Sequence, residues 1–462
     1  MKNKKVFLYC LTWLFFQVGS CNAMVANGWN LPPIVLSSYL PGYSMLADSL
    51  SMAMDKQGNA LAVWKAKSGS NIYVLMARFE VSTNAWNPVV KVLSLANISG
   101  QIILSMAATG DAFIMWESHE VPLYTISCTK YENGTTWASW APTVQTLSTE
   151  SYLALYGCAV NELGDALFVY SSEVYYSSFY DHTISWTAWS PVAVGIPIAL
   201  PANTLNITLD NNGQGLVLYS VSSNLFASQY VSSTWSVSGQ INAAGTVASQ
   251  PALVQEPIFG ANYIMWIENA NSVHATQFGQ TSKTLDMLSA STVGQVMEIV
   301  DVAGNVTFMW TANSLSSGNL KTTYFNNTSW NSWTPTINTI ATSASRPIVH
   351  WTMAVQPASP YEIFALWELN NGTQYLVQAN EAVGGTWVPV VTQNIFALGN
   401  NRAVDPLIGV DASGNALALW GQAITQSTGT TVIVNAIAYN AATALWQAKS
   451  TVLSNSGYCN CV

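Results

Sequence analysis

The strongest constraint on this chain is a motif that recurs. Asp55–Lys56–Gln57–Gly58–Asn59 leads into the apolar run Ala60–Trp64. The same pattern returns as Asp301–Asn305 before Val306–Trp310, and as Asp411–Asn415 before Ala416–Trp420. Looser copies run Thr109–Trp116, Asn161–Tyr170, Asp210–Tyr219, Ala261–Trp266 and Glu362–Trp367. The eight closing aromatics are Trp64, Trp116, Tyr170, Tyr219, Trp266, Trp310, Trp367 and Trp420, spaced 44 to 57 residues apart. A unit of that length built from strands needs neighbours to cover its faces, so the period predicts a radial array of β sheets.

Within each unit the residues predict four short strands. In the first these are Leu50–Met54, Ala60–Trp64, Ile72–Glu80 and Trp86–Ser94. Asp at the head of the first turn and Gly at its end suit a type I hairpin closed by a bulge, because Gly takes positive φ at little cost. These aspartates read as turn caps rather than calcium ligands; Asp210–Gly213 opens like a calcium loop but lacks the downstream acid. A second signature, Trp-x-Pro, falls at Trp86, Trp140, Trp189, Trp333 and Trp387, with weaker members at Trp235 and Trp446. Proline cannot donate to a ladder, which predicts that this segment forms the outer strand of each unit. An extra tryptophan precedes three of them, giving the pairs Trp137/Trp140, Trp186/Trp189 and Trp330/Trp333.

The chain resembles the β-propeller families, in particular exported bacterial repeat proteins whose units read Asp-x-x-Gly-Asn-Ala-x-Ala-Val-Trp. The resemblance covers about Met24 to Ser454 and implies an all-β propeller of four-stranded blades. Eight blades are expected, or seven if the divergent fifth repeat, with Lys283–Thr284–Leu285 where its tryptophan should be, is not a full blade. Gly28–Ser37 looks like an outer strand with no blade ahead of it, and is expected to dock on the last blade. The expected division is a leader over 1–23, an N-terminal segment with that strand over 24–42, the propeller over 43–455 and a cysteine-bearing tail over 456–462.

Composition narrows the function classes. Charged residues make up only 8% of the 462, while half are hydrophobic; a sparsely charged, strand-rich chain of this kind is common among exported proteins. Lys2, Lys4 and Lys5 precede an apolar stretch, Val6–Phe16, as in a secretory leader. Two processing routes fit: cleavage before Met24, or acylation of Cys21 in the lipobox-like Val18–Gly19–Ser20–Cys21. The chain is therefore expected to be exported, to the periplasm, the cell surface or the medium. Loss of the leader shifts the net charge from −9 to −12, and the only arginines are Arg78, Arg346 and Arg402. No basic face exists for a phosphate backbone, so nucleic acid is not an expected partner. No later apolar run is long enough for a membrane-spanning helix. Cys128 and Cys158 read as small buried hydrophobes and Cys459/Cys461 as a local bridge.

Candidate site residues gather on one face in this arrangement. The loops between second and third strands follow the anchors, placing Lys65, Glu117 and Glu368 at equivalent positions. Arg346 and Arg402 precede inner strands and point to the same face, where a small polar ligand is expected, with His119 in the Glu117–Leu123 loop. The tryptophan pairs offer an aromatic platform for sugar rings, set against a role in packing. No catalytic motif, metal spacing or cofactor signature is present, since His119, His182, His274 and His350 are scattered. The sequence therefore points to a binding module for a glycan or a surface protein, more than to an enzyme. A glycan hydrolase or lyase using acids of that face is the alternative, and an outer-membrane barrel a remote third.

Overall fold

The computed structural model describes residues 44–459 except 46–50, 69, 84, 88–90, 95–97, 121, 151–155, 172–174, 197–203, 257–259, 290, 344–345, 359–360, 388–392, 400–401, 427–428, 447–450 and 453–457. Eight separate antiparallel sheets follow one another along the chain, each built in order from its innermost strand outward. The innermost strands of blades 1 to 8 are Ser51–Met54, Ile98–Met106, Tyr156–Val160, Thr204–Leu209, Ala248–Gln255, Thr292–Val300, Trp351–Val355 and Arg402–Val410. Each packs on the next around the ring, and that of blade 8 packs on that of blade 1. The fold is an eight-bladed β-propeller. Blade 5 is complete, with Lys283–Met287 as its outer strand, which removes the seven-bladed alternative. Eight separate sheets also exclude a single lipid-facing cylinder. No helix among the described residues is long and apolar enough to cross a membrane.

The core lies between the blades. One apolar cluster joins blade 8 to blade 1 through Leu417, Leu419, Ala60 and Trp64, and comparable clusters fill the other seven interfaces. All eight anchor aromatics are at most 2% exposed, so the apolar runs they close are buried on both faces as the repeat requires. The turns behave as their residues predict. Asp55, Asp301 and Asp411 each take two backbone N–H donors on one carboxylate oxygen, 2.8–2.9 Å away, and an asparagine amide on the other. The closing Gly58 has φ 91°. Turn also bonds to turn across the closure: Ala412 N–H donates to the Lys56 carbonyl at 3.2 Å, and Lys56 N–H to that of Ala108 at 3.3 Å.

The tryptophan signature sits elsewhere than expected in three blades. Trp140, Trp189 and Trp333 lie in the turn before the outer strand, which begins only at Val144, Val194 and Asn338. That turn is one helical loop: the N–H of Trp140 donates to Thr136, that of Trp189 to Ser185 and that of Trp333 to Ser329, at 3.0 Å each. Three-residue spacing then stands both indoles on one side. Trp137, Trp140, Trp186, Trp189 and Trp330 are buried and Trp333 half-buried, and each pair's rings lie 5.0–5.5 Å apart. The upstream indole of two pairs reaches the preceding blade: Trp186 Nε1 donates to the Thr143 carbonyl and Trp330 Nε1 to that of Thr281, both at 2.9 Å. These pairs are packing clamps, not an open platform, because their faces are spent on each other and on neighbouring rings.

At the chain ends, the third strand of blade 8, Gly429–Asn440, pairs with Leu445–Trp446, Thr451–Val452 and Tyr458–Cys459. Ser44–Met45 joins blade 1 beside Lys67. The expected leader, Cys21 and the 28–37 strand lie outside the described residues. Cys128 and Cys158 carry free thiols in the interface of blades 2 and 3.

Candidate functional site

Several innermost strands bulge near the face that collects the second-to-third hairpins. The register slips between Ile98 and Ile102, Ser249 and Ala252, Val293 and Val296, and Val404 and Leu407. A bulge leaves backbone and side chains unpaired and re-aims them. Between blades 5 and 6 this opens a cavity of about 370 Å³ lined by Gln250, Gly294, Gln295, Asn313, Ile348 and Val349. Its lining is mostly amide and aliphatic. Gln295 N–H donates to Thr311 Oγ1 at 3.0 Å, and Asn313 grips the crossing to blade 7 at both ends of its amide. Its Nδ2 donates to the Ile348 carbonyl at 2.9 Å, and its Oδ1 accepts from the Ile348 N–H at 3.2 Å. Gly294 and Gly318 make room for that amide: a Cβ on either would fall 2.5–2.6 Å from Asn313 side-chain atoms.

The crossing segment that walls the cavity, residues 346–350, also carries Arg346 and His350. Beyond it the structure brings together three of the residues singled out in the sequence. Arg402 Nη2 lies 3.1 Å from Glu368 Oε1, and the Ala403 N–H donates to Glu368 Oε2. Both guanidiniums approach the Tyr375 ring, Arg402 at 5.6 Å and Arg346 at 6.0 Å from its centre, within cation–π range. Burial raises the Glu368 carboxyl above its ordinary value, against the opposing pull of Arg402, the Ala403 N–H and Arg346. Burial, and then the positive charge of Arg402, hold the His350 imidazole below the usual histidine value. At neutral pH this is a neutral base beside the Arg402 cation.

Glu368 is not a solvated rim residue. It lies inside the second strand Ile363–Asn370 and is 5% exposed. We expect Glu368→Ala to strand the Ala403 N–H and release Arg402, lowering stability by about 2 kcal/mol. Glu368→Gln, which keeps an acceptor, should lose less in chemical denaturation; no loss in either variant would show that the bridge contributes nothing.

The remaining candidates are dispersed. Lys65 and Glu117 lie within the second strands of blades 1 and 2, not in loops, and are buried. Glu117 sits beside Tyr156 of blade 3. His119 belongs to the same strand as Glu117 and stacks on Tyr124, with centroids 4.1 Å apart. Arg78 packs over Tyr131, away from the mouth. Tyr375 and His350 were missed: neither belongs to a motif, and they come beside Arg402 only through the crossing from blade 6 to blade 7, which carries His350, and the packing of blade 7 on blade 8, which carries Tyr375.

On the turn face a second grouping forms. Asp165, Asp181 and His182 each offer one ligand atom within 4.8 Å of the others. His182 Nδ1 is 2.6 Å from Asp165 Oδ1, and Asn161 Nδ2 donates to Asp165 Oδ2 at 2.8 Å. Thr183 donates to Asp181 through both hydroxyl and N–H, which lowers that carboxyl. Two oxygens and one imidazole are a donor set that divalent cations accept. The sequence lean away from catalysis is corrected by these findings. It rested on scattered histidines and unselected acids, yet the fold gathers His182 with two carboxylates and sets His350 beside Glu368 and Arg402. Catalysis is at least as well founded as binding alone.

No protein-family model matches the chain, and no curated protein does either. Solved structures that resemble it include a polysaccharide lyase described as an ulvan lyase, 9% identical over 86% of this chain and 91% of that one, with a TM-score of 0.41. An α-L-arabinanase of Penicillium chrysogenum is 12% identical over 61% and 93%, at 0.38. AofleA of Arthrobotrys oligospora, solved as an arginine-to-alanine mutant, is 15% identical over 65% and 88%, at 0.37. All three likenesses are distant.

Proposed function

We propose that the chain is a glycan-active enzyme, of the hydrolase or lyase type, working at the mouth formed by blades 5 to 8. The observation that carries this is the crossing segment 346–350. Its middle walls an amide-lined cavity, while its flanks bring Arg346 and His350 to Arg402, Glu368 and Tyr375. The amide side chains of Gln250 and Gln295 both donate and accept, which suits sugar hydroxyls. The neighbouring imidazole and guanidiniums supply proton transfer and charge stabilisation.

The test is release of reducing ends from a panel of neutral and acidic polysaccharides by the whole chain. His350→Ala is expected to cut turnover by about 10²-fold or more, and Arg402→Ala to weaken it as well. Undiminished turnover in both variants, or no cleavage of any polymer, would remove the proposal. Export belongs to the same proposal, with cleavage before Met24 or acylation of Cys21 as its two forms; the mass of the mature N-terminal peptide decides between them.

A further inference from the structure

Two of the three arginines in the chain meet at one tyrosine. Arg402 is already engaged by the buried Glu368. Arg346 is exposed, and among the described residues its guanidinium has no ion-pair partner, only the face of Tyr375 and the more distant charge of Glu368. The cluster of two guanidiniums and one carboxylate therefore carries excess positive charge, in a protein whose net charge is −9. A cation held on an aromatic ring, on the segment whose Ile348 and Val349 line the cavity, with its fork of donors unspent among the described residues, is a seat for a planar anion.

Resting on the proposal above, we infer that the substrate is an acidic glycan, that Arg346 receives the carboxylate of a uronate residue, and that the reaction is elimination. A two-carboxylate hydrolase needs a second acid facing Glu368 across the scissile bond. The other acids of that face are committed elsewhere: Glu117 is buried between blades 2 and 3, and Glu268 of blade 5 accepts from Thr246 Oγ1 at 2.7 Å and lies 3.2 Å from His274 Nε2. Elimination needs other parts: a cation on the carboxylate to stabilise the charge that spreads onto it, and a base for the proton on the adjacent carbon. Arg346 supplies the first, with Arg402 behind it, and His350 the second. The imidazole takes the C5 proton, and the C5–H electron pair becomes the C4–C5 double bond. The C4–O bond breaks, and the departing oxygen takes a proton from water. No oxidant or reductant is involved. Arg402 is the charged group that acts on His350 and favours its neutral form, and Glu368 stands beside it on the neighbouring strand, its N–H donating to the His350 carbonyl at 2.9 Å.

The test uses the whole chain with polygalacturonate, alginate and glucuronan, each compared with its carboxyl-reduced form. Elimination creates a double bond conjugated with the carboxylate, read as ultraviolet absorbance and as an unsaturated terminal sugar by mass spectrometry. We expect cleavage of an acidic polymer, none of its reduced form, and an acid limb in the pH profile below the ordinary histidine range. Arg346→Ala, at an exposed position, should leave the melting curve unchanged and raise KM by about tenfold, with partial recovery in Arg346→Lys. Cleavage that is equal on the carboxyl-reduced polymer, or that yields only saturated ends, overturns the inference while leaving a glycan-active enzyme in place. An Arg346→Ala variant with unchanged KM overturns the seat assigned to the carboxylate. Failure to cleave any polymer overturns both proposals.

Discussion

Trp186→Ala is expected to destabilise the protein by about 3–5 kcal/mol, the range for removing a buried tryptophan. The indole is 4% exposed and packs between Phe113 of blade 2 and Tyr180 and Trp189 of its own blade, with centroid separations of 5.7, 5.4 and 5.0 Å. Its N–H holds the Thr143 carbonyl of blade 2. Alanine leaves a cavity that two sheets must close, and orphans a carbonyl at their junction. Chemical denaturation of wild type and variant gives the difference directly. A variant that unfolds like wild type but loses sugar binding would mean that the indole is a platform after all.

Glu298→Leu is expected to work in the opposite direction, stabilising the protein by about 2 kcal/mol. Three residues before each first turn, the innermost strands carry Met52, Leu104, Cys158, Ile207, Leu253, Met353 and Ile408 in seven blades, and Glu298 in blade 6. Glu298 is 6% exposed, stands opposite Phe308 in the ladder, and neither carboxyl oxygen has a hydrogen-bond partner among the described residues. Burial pushes this carboxyl well above the ordinary glutamate value of 4.5. The folded state thus holds a proton that the unfolded chain releases near that value. Its contribution is present below about pH 4.5 and is lost as pH rises through the folded-state pKa. The advantage of leucine should therefore grow with pH over that window, whereas the melting midpoints should differ least in acid. A pH-independent difference, or a less stable leucine variant, would mean that the carboxyl has a partner in solution.

Much of this architecture was legible because each blade repeats the same local chemistry. Asp-x-x-Gly-Asn fixes the first turn through side chains a few residues away, and the anchor aromatic must be enclosed wherever the run is covered on both faces. The tryptophan pairs were placed one element too far along. Proline after Trp140, Trp189 and Trp333 does exclude a central strand, but a tight turn meets the same requirement, and the Thr136, Ser185 and Ser329 carbonyls close it. The N-terminal strand expected to close the ring lies outside the described residues; among those described, the packing of blade 8 on blade 1 and the Ala412–Lys56 turn bond join it.

The site was half legible. Equivalence after the anchors singled out Glu368, and position before an inner strand singled out Arg346 and Arg402. Their meeting could not be read, because Glu368 and Arg402 are 34 residues apart and belong to adjacent blades. The strand bulges that open the cavity leave no mark in apolar spacing beyond Gly294 and Pro251. Glu298, by contrast, was readable: aligning the eight turns sets one acid in a column of apolar residues.

The most direct test of the central claim is a crystal structure of the protein with a uronate oligosaccharide bound. The expected result is a sugar lying across Gln250 and Gln295, its carboxylate on Arg346 and its C5 proton toward His350. A sugar bound instead on the outer tryptophan turns, or beside Asp165 and His182 on the opposite face, would contradict it.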